Sequence, residues 1–394
     1  MKKFLCLFVV SVSLFLYRPS RADDAQNNTL KSFISRYQVE FYGRLQLDII
    51  YDDSISYPGP YLLYGVTEQF HHDDNQFFIT ANSSRLGLKI VGPKRGDRKL
   101  WGVVEFDFQG EPEKDEPDLL LRHAFLVYDI NRNWQILAGQ TWDVISPLQI
   151  PLLNWAPGWG WGNIGFWHPQ LRLTYKKSPI EIALAMSKPH EDDEDGGGID
   201  DGQDAGWPNI QGRIGFAFDK VAFGFSGHYG EQEIDYMDFG ERYIETWSGN
   251  FDLVIPVKDW LTITGEFFIG ENLDGYMGGV LQDIHIYTND KGEVVREGYQ
   301  AIGGWLNFGF AKNKWKTNWG GSIDVVNDYK LYPGSRTPDD IGDRGQNMVF
   351  WMNFTYEIFD DLVVGLEFSH TETLYYNARK GEPNRTQVSL IYSF

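Results

Sequence analysis

Between Phe41 and Tyr51 the chain changes character at every residue. Phe41, Gly43, Leu45, Leu47 and Ile49 fall on one face of an extended strand, and Tyr42, Arg44, Gln46 and Asp48 fall on the other. A strand with one oily face and one charged face must lie between two different solvents. The alternation recurs in Val104, Phe106 and Phe108 against Glu105 and Asp107, and in Leu171, Leu173 and Tyr175 against Arg172, Thr174 and Lys176. Ile180, Ile182, Leu184 and Met186 repeat it, and so do Val388, Leu390, Tyr392 and Phe394 at the chain end, set against Gln387, Ser389 and Ser393. No convincing period of 3.6 residues appears, and beyond the leader no segment approaches the roughly 18 consecutive apolar residues of a membrane helix.

The connections alternate as well. Short polar turns stand at 93–98, 131–133, 176–179, 219–220, 256–259, 312–314 and 359–361. Longer segments lie between them, near 52–74, 110–118, 146–169, 188–208, 231–242, 272–299, 330–344 and 377–385. Seven turns and eight loops make fifteen connections and therefore sixteen strands, an even number as bacterial membrane barrels require. Bulky aromatics sit beside the short turns: Trp101, Trp134, Trp260, Trp315, Phe359 and the terminal Phe394. Rings of this kind prefer the headgroup level and read as an interfacial girdle. The expected fold is an all-β transmembrane antiparallel barrel of about 16 strands, with short periplasmic turns and long extracellular loops. Soluble sandwiches and propellers also use short alternating strands, but no repeat of about 40 to 50 residues is visible.

Lys2 and Lys3 followed by an apolar run over 4–17 have the form of a signal peptide, with cleavage expected after Ala22. A short periplasmic segment at 23–38 would then precede a barrel at 39–394. The single cysteine, Cys6, lies in the leader, so disulfides and thiolate metal sites are excluded from the mature chain. Removal of the leader's four basic residues leaves 31 basic against 55 acidic residues, a formal charge of −24. Such acidity argues against a nucleic-acid partner. The mixture of 14 Trp, 21 Tyr, 27 Phe and 42 Gly suits a membrane barrel.

Four stretches resemble the DcaP-like trimeric porins. They are Phe41-Tyr42-Gly43-Arg44, Asn82-Ser83-Ser84-Arg85-Leu86-Gly87, Leu121-Arg122-His123-Ala124-Phe125 and Leu137-Ala138-Gly139-Gln140-Thr141-Trp142, in strands one, two, four and five. The likeness is densest over 40–180. It implies a 16-stranded homotrimer in a bacterial outer membrane, surrounded by lipids and lipopolysaccharide, that passes small polar solutes by passive diffusion and admits small anions such as dicarboxylates. The long N-terminal coiled coil frequent in that family has no counterpart among the roughly 18 residues between leader and first strand.

A sixteen-stranded lumen is wide enough for water, so some segment must narrow it. The third long loop, 146–169, is the candidate constriction: Trp155, Trp159, Trp161, Trp167 and His168, with four prolines, are too apolar for a solvated tip. Arg44, Arg85, Arg122, Arg172 and Arg213 are expected on water-facing positions, opposed by Asp48, Glu105 and Asp107, with Asp252, Glu266, Asp324 and Glu367 elsewhere on inward faces. Guanidinium forks suit carboxylates, although such arginines could equally serve only to brace the wall. The acidic run at 191–201 and the group His71-His72-Asp73-Asp74 read as solvated loops rather than metal sites, and no cofactor is implied. No Gly-x-Ser-x-Gly elbow or usable triad is present, so an enzyme is not expected. An adhesin or structural barrel would share the fold but not the arginines.

Overall fold

The computed structural model describes residues 36–67, 74–110, 117–189, 205–236, 240–282, 284–288, 291–292, 294–326, 344–375 and 379–394. The leader, His71 to Asp73 and the acidic run 191–201 lie outside them. Strands β1 (Gln38–Asp52), β2 (Gln76–Thr80 and Arg85–Val91), β3 (Lys99–Asp107), β4 (Leu120–Asp129), β5 (Trp134–Trp142) and β6 (Trp167–Lys177) form the first part of one sheet. They are followed by β7 (Ile180–Ser187), β8 (Asn209–Phe218), β9 (Val221–Tyr236), β10 (Gly240–Lys258) and β11 (Leu261–Glu271). The sheet continues with β12 (Gln300–Lys312), β13 (Trp315–Val326), β14 (Arg344–Phe359), β15 (Leu362–Tyr375) and β16 (Lys380–Gly381 and Asn384–Ser393). Each neighbour is antiparallel, and β1 pairs with β16 from Arg44↔Ser393 to Asp52↔Arg385, so the sheet closes as a sixteen-stranded barrel. Closure leaves no unpaired edge, which is what a strand bundle in lipid requires.

The period-two pattern sets each side chain's surroundings. Along β1 Leu45, Leu47 and Ile49 are exposed on the outer surface, while Gln46, Asp48 and Asp52 are buried inside. Along β16 the exposed Val388, Leu390 and Tyr392 alternate with the buried Gln387 and Ser389. The outer belt ends at the short-turn rim in Trp134, Trp260, Trp315, Phe359 and Phe394, all at least 40% exposed. Trp101 is not among them. It pairs with the buried Val127, packs edge-on against Phe125 at 5.8 Å, and shares the face of Glu105, so it points into the lumen. Adjacency to a turn did not reveal this; parity along the strand does.

Three further differences from the sequence reading have local causes. Strand β2 is interrupted between Thr80 and Arg85, yet both halves pair with β1. Arg122 is an extra residue between the pairs Glu105↔His123 and Phe106↔Leu121, a bulge that turns both Arg122 and His123 away from strict alternation. The fifth loop is much shorter than 231–242, because β9 and β10 stay paired out to Tyr236↔Gly240.

The lumen is not empty. A small hairpin of the first loop (Ser56–Pro58 with Leu62–Gly65), the third loop, and two 3-10 turns of the sixth loop (Asp274–Tyr276 and Gly279–Leu281) pack inside. Leu62, Ile150 and Trp161 from the loops meet Trp305, Val349 and Trp351 from the wall. A second cluster joins Ile145, Ile164, Leu273 and Tyr276 to Phe268 and Ala301. Burying these side chains contributes about 1.5–3 kcal/mol for each large one, which is why so apolar a loop turns inward rather than into solvent.

Candidate functional site

The third loop spans 143–166, three residues earlier at each end than the sequence pattern suggests, because Thr141↔His168 and Trp142↔Trp167 continue the β5–β6 ladder. Trp167 and His168 therefore begin β6. The loop's two ends are tied together at the buried Asp143. Its amide donates to the Phe166 carbonyl (2.9 Å), and its carboxylate accepts from the Phe166 amide (2.9 Å), Gln211 Nε2 (2.7 Å) and the ring of His168 at Nδ1 (2.9 Å).

From that anchor the loop crosses to the far wall. Glu266 on β11 accepts from the Leu148 amide (2.9 Å) and Ser146 Oγ (2.5 Å). Glu367 on β15 accepts from the amides of Leu153 (2.6 Å) and Asn154 (2.9 Å). Asn353 Nδ2 donates to the Pro151 carbonyl (2.7 Å) and Gln387 Nε2 to the Leu153 carbonyl (3.0 Å). Here carboxylates of the wall serve as acceptors for loop backbone that would otherwise be buried unpaired. Gly162 lies so close to the β12–β13 wall that a Cβ there would be 2.5 Å from the Ile323 carbonyl, at a φ of +110°. Trp161 is fully buried and donates to the Leu63 carbonyl (2.8 Å), and Trp159 donates to the Gly165 carbonyl (2.9 Å).

Beneath the loop, against β1–β4, lies a cavity of about 140 Å³ lined on one side by Arg44, Arg85 and Arg122, and roofed by Ile150, Asn154 and Trp155. Glu105 and Asp107 sit behind these arginines. Arg122 reaches Glu105 at 3.2 Å and Asp107 at 2.8 Å, and Arg85 stands 3.5 and 3.9 Å from the same two carboxylates. Both carboxylates accept further bonds: Tyr42 donates to Glu105 (3.0 Å), Trp155 Nε1 donates to the same Asp107 oxygen that Arg122 holds (2.8 Å), and the Gln109 amide donates to the other Asp107 oxygen (3.4 Å). The Arg122 guanidinium lies 4.1 Å from the Trp167 ring centre, a stacked cation–π contact. Arg44 differs from its neighbours. Its Nε donates to the Ser83 carbonyl (3.2 Å), and among the described residues it has no ion-pair partner. Three guanidinium groups thus face two carboxylates.

The other residues expected to set selectivity are dispersed. Asp48 is buried beside β16, where Gln46, Gln387 and Ser389 donate to it, and among the described residues it takes no arginine. Arg172 bonds to Gln170 Oε1 (2.9 Å) and to the carbonyl of Trp142, a lining residue, but is not itself part of the cavity lining. Arg213 grips Asp252 through both oxygens (2.8 and 2.9 Å) and braces β8 against β10. The inward-facing Asp324 is fully buried on β13.

Arg385 has no place in the sequence reading and holds a buried polar junction. It is 1% exposed, bonds Asp52 through two nitrogens (2.8 and 2.7 Å), and donates to Ser56 Oγ (2.9 Å), the Gly59 carbonyl and Asn154 Oδ1 (3.3 Å). Its inward face is readable from the parity of Gln387 and Ser389. Its partners, about 230 to 330 residues away in sequence, are not.

No family model and no curated protein matches the chain by sequence. Among solved structures, the outer-membrane channel DcaP of Acinetobacter baumannii aligns over 91% of this chain and 98% of its own, at 18% identity and a TM-score of 0.72. This chain has the DcaP-channel fold. An anion-selective porin from Comamonas acidovorans (10% identity, TM-score 0.59, 91% and 100% covered) and OmpF of Salmonella typhi (11%, 0.59, 90% and 97%) share the general architecture with the DcaP-like barrel. Together with the apolar outer belt and its aromatic rim, the fold places the DcaP-like chain in a bacterial outer membrane.

Proposed function

We propose that the protein is a porin, a passive channel for small polar solutes that favours small anions such as carboxylates at its constriction. The observation that carries this reading is the imbalance at the cavity under the third loop: Arg44, Arg85 and Arg122 line it, and Arg85 and Arg122 share just two carboxylates, Glu105 and Asp107, which also accept from Tyr42 and Trp155. Low-dielectric walls focus the field of such a cluster, whereas charge in the outer loops is screened beyond about 8 Å at physiological salt. The local excess therefore governs selectivity in spite of the chain's acidic total. The DcaP and anion-selective porin folds support the class. A homotrimer belongs to the same reading, supported by the trimer form of the Vibrio cholerae outer-membrane protein OmpT, which is 12% identical with a TM-score of 0.55.

The test is the reversal potential of the reconstituted protein under a salt gradient. The wild type should be anion-selective, and Arg44→Gln should lower the anion-to-cation permeability ratio by about fivefold, the equivalent of about 1 kcal/mol for one charge in a partly hydrated site. A cation-selective wild type, or an Arg44→Gln variant with unaltered selectivity, refutes the assignment.

A further inference from the structure

Below the arginine cluster, parity along β3, β4 and β5 sends a row of apolar side chains into the lumen. The pairs Glu105↔His123, Val103↔Phe125 and Trp101↔Val127 run in step toward the short-turn rim, and Val127↔Leu137 carries the row on to β5. Glu105 faces the lumen, where it meets Arg85 and Arg122, so Val103 and Trp101, two and four positions along the same strand, face it too. Val127 and Leu137 are buried, whereas Trp101 and Phe125, packed edge-on at 5.8 Å, stay partly exposed. The His123 ring, edge-on to Phe125 at 5.9 Å and 3.8 Å from Glu105, joins this aromatic step to the arginine cluster.

The inner face of a water-filled barrel is polar, and the opposite wall obeys that rule. There Asn307 donates to Thr264 (3.5 Å) and to Asn318 (3.3 Å), and Asn318 donates to Asn353 (3.1 Å). Thr264 and Asn318 are the fourth residues of their strands and Val103 is the fifth of its own, so the polar and apolar surfaces lie at similar depth. The apolar row does not anchor a loop either. Among the described residues, none of Trp101, Val103, Phe125, Val127 and Leu137 belongs to the clusters in which the inward loops pack on the wall. It is left facing whatever passes through the channel.

Successive inward positions on a strand stand about 7 Å apart. Phe125 is therefore one such interval below His123, the residue next to Arg122, and Trp101 is a further interval down. A carboxylate at Arg44, Arg85 and Arg122 would place a ring attached to it against Phe125, with Trp101 next on the way to the short-turn rim. We propose that Trp101 and Phe125 are specificity-determining residues of the channel, an aromatic step that holds the apolar body of a permeating carboxylate while the arginines hold its charge. This rests on the anion-porin reading and adds to it a preference among anions of equal charge.

Benzoate and acetate test it, because both are monoanions on which the arginines act alike. Each is added to a chloride solution bathing the reconstituted protein, and the concentration that halves the chloride conductance is measured. Wild type should be half-blocked at about fivefold less benzoate than acetate, the factor that about 1 kcal/mol of ring stacking supplies. Trp101→Ser with Phe125→Ser should bring the two concentrations together and leave the reversal potential under a salt gradient unchanged. Trp101→Phe should retain the benzoate preference, which separates stacking from a general disturbance of the wall. Equal block by the two anions in an anion-selective wild type overturns the aromatic step alone. So does a double Ser variant that still prefers benzoate, or one that loses charge selectivity along with the preference, since the rings would then act only by propping the arginines. A cation-selective wild type overturns the arginine reading and this site with it.

Discussion

Replacing Arg385 by Met removes the cation from a junction where Asp52 is fully buried. Asp52 would keep Ser56 Oγ as a donor at 2.5 Å but lose both guanidinium bonds, and the Gly59 carbonyl would lose its donor. Stranding one member of a buried ion pair costs about 3–5 kcal/mol, which is two to nearly four powers of ten in the folding equilibrium. Replacing Asp52 by Leu at the same time removes the stranded charge. The remaining penalty is the unpaired Gly59 carbonyl and the lost Ser56 and Asn154 bonds, about 1–3 kcal/mol. The double variant should therefore be more stable than Arg385→Met alone, by about 2 kcal/mol. Urea titration of folding into lipid vesicles, read by the gel mobility of folded and unfolded barrel, measures both. Because Arg385 holds the first loop through Ser56 and Gly59 and the third through Asn154, single-channel recordings of Arg385→Met should also show frequent substate transitions. The reasoning fails if the double variant is as unstable as the sum of the single ones, since the two groups would then not be acting as a pair.

Gly162→Ala should displace the third loop from the β12–β13 wall, because the new Cβ would meet the carbonyls of Ile323 and Gly304 at 2.5 and 2.6 Å; unitary conductance should change while the barrel still folds, and an identical conductance would contradict the contact. Arg213→Gln combined with Asp252→Asn removes a bidentate wall bond but no net charge. It should lower urea stability by about 1–3 kcal/mol and leave the reversal potential where it was; a shift in selectivity would show that this pair belongs to the permeation path.

Much of the architecture was readable because a membrane barrel writes it locally. Side chains that alternate between lipid and water impose period two on residues such as Leu45 to Asp48, and tight turns against long loops count and orient the strands without reference to distant contacts. The same parity places Arg44 and Arg172 inside. It fails where the backbone gains a residue, as at Arg122, since a bulge shifts every face beyond it and leaves no compositional mark, and Trp101 was misread because closeness to a turn is weaker information than parity. Partnership was not readable at all. Arg85 and Arg122 share Glu105 and Asp107, Arg213 takes Asp252, Arg44 takes no carboxylate among the described residues, and Arg385 ties two loops to Asp52, because closure of the sheet and the inward fold of the third loop decide which charges meet. The sequence by itself determined the solvent that each strand face sees, which is a property of nearest neighbours along the chain; the tertiary structure alone decided which charges are neutralised, which depends on distances across a lumen between residues hundreds of positions apart.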